Sequence, residues 1–127
     1  MKENYSILFI DNNENITNSL EKYVKENINW LNVVGNLKNE DKNIKYILQN
    51  KPNIIICNSI YPLFTNLMNI EKIKQIKNNS KIFIFSGNTD FYNINNCNQP
   101  GITKFIKKPI KLYDLFNIIK NSTIKKV

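Results

Sequence analysis

The stretch NIIICNSIYP, residues 53–62, decides how this chain is read. Ile54, Ile55, Ile56 and Cys57 form an apolar run of strand length, with no polar residue alternating between them. Such a run predicts a strand buried on both faces. It stops at a polar residue, Asn58, and Pro62 follows four residues on. A strand buried on both faces belongs to a parallel sheet covered by helices, so the flanking sequence has to supply those helices.

It does so on both sides. Upstream, NEDKNIKYILQN (39–50) places Ile44, Ile47 and Leu48 at helical spacing, with Asn39 or Asp41 as its cap and Lys51-Pro52 as its end. WLNVVG (30–35) is rich in β-formers and stops at a glycine. NENITNSLEKYVKENI (13–28) puts Ile16, Leu20, Tyr23, Val24 and Ile28 on one helical face. YSILFI (5–10) is a further strand-length apolar run. Downstream, LMNIEKIKQIK (67–77) carries Ile70, Ile73 and Ile76 at helical spacing, and KIFIF (81–85) is the fourth strand. DFYNINNCNQPG (90–101) is the weakest helix, because asparagine side chains compete for the backbone's hydrogen bonds; Pro100-Gly101 closes it. TKFIK (103–107) is the fifth strand. KLYDLFNIIKNS (111–122) is the last helix, burying Leu112, Leu115, Ile118 and Ile119. The order is (βα)5, which predicts a doubly wound, five-stranded parallel sheet in one domain spanning 1–127.

Composition narrows the chemistry. There is no histidine, and Cys57 and Cys97 match no metal-ligand spacing, so zinc binding and histidine-based catalysis are excluded. Cys57, inside the apolar strand, reads as a small buried hydrophobe. The net charge is +8, but every basic residue is a lysine, with no arginine to read guanine bidentately. The lysines are also spread out (Lys22, Lys45, Lys74, Lys104, Lys120), so the charge reads as a solvated surface rather than a nucleic-acid face. No apolar run is long enough to span a membrane. The first run is too short for a secretory core and ends at Asp11, which places the chain in the cytoplasm.

In an open parallel sheet the site lies at the carboxyl ends of the strands, near the point where strand order reverses. The residues predicted there are Asp11 and Asn12, Asn58, Ser86 and Lys108. These landmarks resemble the receiver domain of two-component response regulators along essentially the whole chain. FIDNN (9–13) stands where that family carries an acidic pair. CNSIYP (57–62) stands where it carries the phosphoacceptor aspartate and a proline four residues on. IFSG (84–87) supplies the Thr or Ser position, and FIKKP (105–109) the Lys-Pro, here Lys108-Pro109, with Phe105 as the switch aromatic. Within the family, LEKYVKENINWLNVVG (20–35) looks most like the receiver of the master regulator of sporulation initiation. The resemblance implies the flavodoxin-like fold.

Two departures bear on function. The resemblance implies an Mg²⁺ ion held by carboxylates at the second acidic position and at the acceptor; here these are Asn12 and Asn58. An amide oxygen is a poor nucleophile and forms no stable acyl phosphate. Asp11 is left facing Lys108, an arrangement that needs no metal or other cofactor. The expectation is therefore a pseudo-receiver: not an enzyme, but a protein-interaction module in phosphorelay signalling, around sporulation. Its partner would be a histidine kinase, phosphotransferase or response regulator, or a second copy of itself. The face carrying Phe91, Tyr92, Phe105 and Tyr113 is the first candidate surface, and helix one around Asn13, Asn15, Ile16 and Ser19 the second. The alternatives are a phosphorylation-competent receiver using Glu14 or a deamidated Asn58, and a nucleic-acid binder acting through its lysines.

Overall fold

The computed structural model describes residues 4–59, 80–86 and 102–124. Within them lie five strands: β1 (Tyr5–Ile10), β2 (Leu31–Leu37), β3 (Ile54–Cys57), β4 (Lys81–Ser86) and β5 (Lys104–Lys107). Helix α1 spans Glu14–Asn27, α2 spans Ile44–Asn50, and a C-terminal helix spans Leu112–Thr123. The strands form one sheet in the order β2-β1-β3-β4-β5, and every pairing is parallel. This is the doubly wound parallel sheet that the (βα)5 pattern predicts, in the strand order of the flavodoxin-like fold that the resemblance implies. The expected helices over 67–77 and 90–101 lie outside the described residues.

Alternation along the strands divides the core into two layers. Ile7, Phe9, Ile54, Ile56, Phe83, Phe85 and Ile106 point to one face, where α1 brings Leu20 and Val24 and the C-terminal helix brings Leu115, Phe116 and Ile119. Leu8, Ile10, Ile55, Cys57, Ile82 and Ile84 point to the other, beneath Ile44 and Ile47 of α2. Tyr23 stacks on Phe116, centroids 5.4 Å apart, and joins α1 to the C-terminal helix. Phe116 had no place in the predicted buried set of that helix, whereas Leu112 and Ile118, expected inside, are only half-buried. On α1 the helical stripe had overlooked Thr17; it is buried because its hydroxyl donates to the Glu14 carbonyl and needs no water.

Local chemistry accounts for the helix ends. Asn13 caps α1: its side chain accepts from the Asn15 amide, and Glu14 sits in the first turn, where the helix dipole favours a negative charge. Helix α2 departs from expectation. It begins at Ile44, after a single 3-10 turn over Asp41–Asn43, and its flanking Asn43 makes no side-chain cap. Asn39, one of the two expected caps, is instead buried, and its side chain is committed elsewhere.

Strand β2 also runs past Gly35, where it was expected to stop, as far as Leu37. The register shifts between Ile7 and Leu8, which pair with Val33 and Gly35, so Val34 is the extra residue of a bulge. The Tyr46 hydroxyl crosses from α2 and donates to the Val34 carbonyl. Gly35 is required by that crossing: a β-carbon there would lie 2.7 Å from the Tyr46 hydroxyl and 3.2 Å from Leu8 Cδ1. Gly35→Ala is expected to destabilise the fold by about 1–3 kcal/mol, the usual cost of overpacking. Adding Tyr46→Phe should recover part of the loss, since the displaced hydroxyl is then gone. Urea unfolding of the single and double variants measures both; an unchanged midpoint for Gly35→Ala would contradict the account.

Candidate functional site

The sheet order puts β1 next to β3, so the loops leaving those two strands diverge at the switch point and open a crevice. Backbone bonds continue the ladders just beyond the strand ends and hold this rim in place. The Asp11 amide donates to the Leu37 carbonyl at 2.9 Å, and the Asn58 amide to the Ile10 carbonyl at 3.0 Å. Asp11 and Asn58 are thereby fixed side by side. Lys108 arrives from the end of β5, followed by Pro109 across a cis peptide bond.

The Lys108 ammonium lies 4.0 Å from Asp11 Oδ2, with both side chains largely sheltered from solvent. It also sits 4.7 Å above the centre of the Phe85 ring, whose electron-rich face attracts the cation. Asp11 Oδ1 accepts from the Asn13 amide at 2.9 Å. One carboxylate therefore orders the turn into α1 and balances the lysine. Both charged groups predicted at the site meet.

The two asparagines are held by a third residue, Asn39. Its backbone amide donates to Asn12 Oδ1 at 2.9 Å. Its side-chain Nδ2 donates to Asn58 Oδ1 at 2.9 Å and to the Ser59 carbonyl at 3.0 Å. Asn39 is only 3% exposed, one of three buried polar residues among those described. Nothing local in the sequence separates it from a helix cap. The signal was its place in the loop after β2, which the strand order carries to the site.

Asn12 and Asn58 come together with Asp11, Asn39 and Lys108. Ser86 ends β4 opposite Lys107 of β5. Pro62, Phe91 and Tyr92 lie outside the described residues. Phe105 is half-buried against the α2-side core, and Tyr113 is 68% exposed. Glu14 is exposed in the first turn of α1. Asn13 and Asn15 are exposed on the same turn, Ser19 is exposed a turn further along, and Ile16 is half-buried against the core.

The divalent cation that the sequence resemblance implies does not fit this donor set. Its two expected carboxylates are amides, and both amide oxygens already accept from Asn39. Among the described residues no three acidic or cysteine side chains gather as metal ligands. The cluster can pair one charge with another and can present a fixed polar surface at the strand ends.

The receiver-domain pattern of response regulators matches residues 7–120, so the chain belongs to the response regulator receiver domain family. It is a receiver domain of two-component signalling. Solved structures agree in fold. A LuxR-family DNA-binding response regulator from Staphylococcus aureus superposes with a TM-score of 0.74 at 15% identity, over 94% of this chain and 99% of that one. A putative response regulator from Chloroflexus aurantiacus gives 0.74 at 16%, over 97% and 100%. The isolated receiver domain of RcsB from Salmonella enterica serovar Typhimurium, in the presence of the phosphomimetic BeF3⁻, gives 0.71 at 18%, over 98% and 94%. The search of curated proteins returns no match. No helix among the described residues is long and apolar enough to cross a membrane.

Proposed function

We propose that this chain is a pseudo-receiver: a single receiver-like domain over 1–127 that acts without phosphorylation, as a protein-interaction module of bacterial phosphorelay signalling in the cytoplasm. The observation that carries the reading is the asparagine cluster. Amides stand at the positions of the phosphoacceptor and of a metal-binding carboxylate, and both are tied to Asn39. Asp11, Asn12, Asn58, Ser86 and Lys108 are then a vestigial phosphoacceptor pocket, and Asp11 and Lys108 neutralise one another without a cation. The resemblance read in residues 20–35 extends the proposal to a role around sporulation.

The deciding experiment is intact mass spectrometry after incubation with acetyl phosphate and millimolar Mg²⁺. The expected spectrum is that of the untreated chain. Addition of one phosphoryl group to a pocket residue would end the reading.

The partner is a signalling protein or a second copy of this chain, docking on the C-terminal helix around Tyr113, which lines a groove with Tyr23, Asn27 and Trp30; Phe105, the other described member of the expected face, packs against the α2-side core. Tyr113 supports this assignment: it is a large aromatic side chain turned to solvent from the first turn of the C-terminal helix. Tyr113→Lys should weaken binding to a partner recovered by pull-down at least about tenfold, the loss of a modest anchor residue. Its thermal midpoint should change little, because Tyr113 is already 68% exposed. If binding survives and is lost instead with substitutions at Asn15 or Ser19, the docking surface is α1.

A further inference from the structure

Resting on the pseudo-receiver reading, we propose that Asn39 is the built-in occupant of the vestigial pocket, its N–H groups taking the place that a cation takes between two carboxylates. Three oxygens converge from two strand ends: Asn12 Oδ1 after β1, and Asn58 Oδ1 and the Ser59 carbonyl after β3. Asn39 supplies an N–H donor to each, at 2.9, 2.9 and 3.0 Å, and the Cys57 thiol adds a further bond to the Ser59 carbonyl. A divalent cation and a set of N–H donors solve the same electrostatic problem, since each places positive charge among oxygens that would otherwise face one another. The donors need no carboxylates to do it, and amide oxygens are sufficient acceptors.

The loop is built to deliver this side chain. Asn43 Nδ2 donates to the Lys38 carbonyl at 2.6 Å, and the Asn43 amide donates to the Glu40 carbonyl at 3.0 Å. These bonds close the chain tightly on both sides of Asn39. The cost is a helix α2 without a side-chain cap, although asparagine is among the best capping residues. Asn39 has been drawn away from the local role that its sequence position offers. The amides at positions 12 and 58 and the Asn39 groups bonded to them thus act together, holding this part of the pocket in one arrangement.

Two measurements test the proposal. In the ¹⁵N-labelled wild-type chain, the Asn39 side-chain amide protons should exchange slowly with deuterium. Millimolar Mn²⁺ should leave the Asn12, Asn39 and Asn58 signals sharp. Selective broadening of those signals would overturn the assignment, and this arm needs no variant. The second arm compares Mg²⁺ affinity in Asn12→Asp/Asn58→Asp with that in the same chain carrying Asn39→Ala, read from thermal midpoints across a Mg²⁺ titration. Removing the plug should tighten binding at least about fivefold, because two side-chain hydrogen bonds no longer compete with the ion. Equal affinities would overturn the role of Asn39 and leave the pseudo-receiver reading standing. Phosphoryl uptake by the wild-type chain would overturn both.

Discussion

Asn12→Asp combined with Asn58→Asp is expected to give labelling with acetyl phosphate, where the wild-type chain is expected to show none and each single change little. Both asparagines act through Oδ1 as acceptors from Asn39, and a carboxylate oxygen accepts equally well in the same place. The substitutions are therefore close to isosteric and leave the fold in place. Asp at position 58 supplies the missing nucleophile. Its oxygen attacks phosphorus, forming an acyl phosphate, and acetate leaves. Asp at position 12 would supply a carboxylate ligand for Mg²⁺, which when bound would offset the negative charge of the phosphoryl group. Asn58→Asp alone puts a carboxylate beside Asp11 with no added ligand after β1, and like-charge repulsion raises its pKa. Asn12→Asp alone has nothing to phosphorylate. Residues sharing one metal site behave non-additively in this way. Without metal the double variant should be less stable than wild type, because three carboxylates then crowd Lys108. Saturating Mg²⁺ should return about 2–3 kcal/mol, the linkage expected near a hundredfold excess over Kd. A double variant that folds, yet gains neither thermal stability from Mg²⁺ nor phosphate, would show that the pocket differs from a receiver site by more than these two side chains. Asn39→Ala in that background should then raise both effects.

Alkaline pH should destabilise the wild-type chain more steeply than Cys57→Ala. Cys57 is fully buried at the end of β3, and its thiol donates to the Ser59 carbonyl at 3.0 Å. Burial, with the negative charge of Asp11 adding to it, pushes the thiol from 9.0 up to about 12. Above pH 9 the unfolded chain loses this proton while the folded chain keeps it. The unfolded state then binds fewer protons, and the free energy of unfolding falls as pH rises. The contribution is fully present below pH 9 and is lost between pH 9 and 12, at about 1.4 kcal/mol per pH unit. Denaturant unfolding at pH 8, 9, 10 and 11 isolates it, because lysine and tyrosine titrations are common to both chains. By pH 11 the wild type should have lost about 3 kcal/mol more than the variant, on top of the constant cost of the truncated side chain. Parallel curves would mean that the thiol opens to water. At neutral pH the same burial should make Cys57 unreactive toward alkylating agents in the folded chain.

The sequence by itself determined the five strands and the described helices, in their order along the chain. Ile7–Ile10, Ile54–Cys57 and Ile82–Phe85 are apolar on both faces, and that pattern is stable only as interior strands of a covered parallel sheet. Helical stripes between them placed α1 and the C-terminal helix to within a residue at each end. Asp11 and Lys108 could be paired on paper because both follow strands directly, where register leaves little freedom. Three features were decided only by the tertiary structure. Gly35 reads as a strand end, yet it lies inside β2, because Tyr46 from another element fills the space a side chain would need. Thr17 has no place in the apolar stripe, yet it is buried, with its hydroxyl satisfied by its own helix. Asn39 reads as a helix cap, the role local propensity assigns to asparagine ahead of an apolar run. It becomes the centre of the site because the order β2-β1-β3 sets the loop after β2 against the ends of β1 and β3. Its partners are 27, 19 and 20 residues away in the chain. Three part-buried hydrogen bonds outweigh one exposed cap bond, and no window of sequence around Asn39 contains the oxygens that decide the matter.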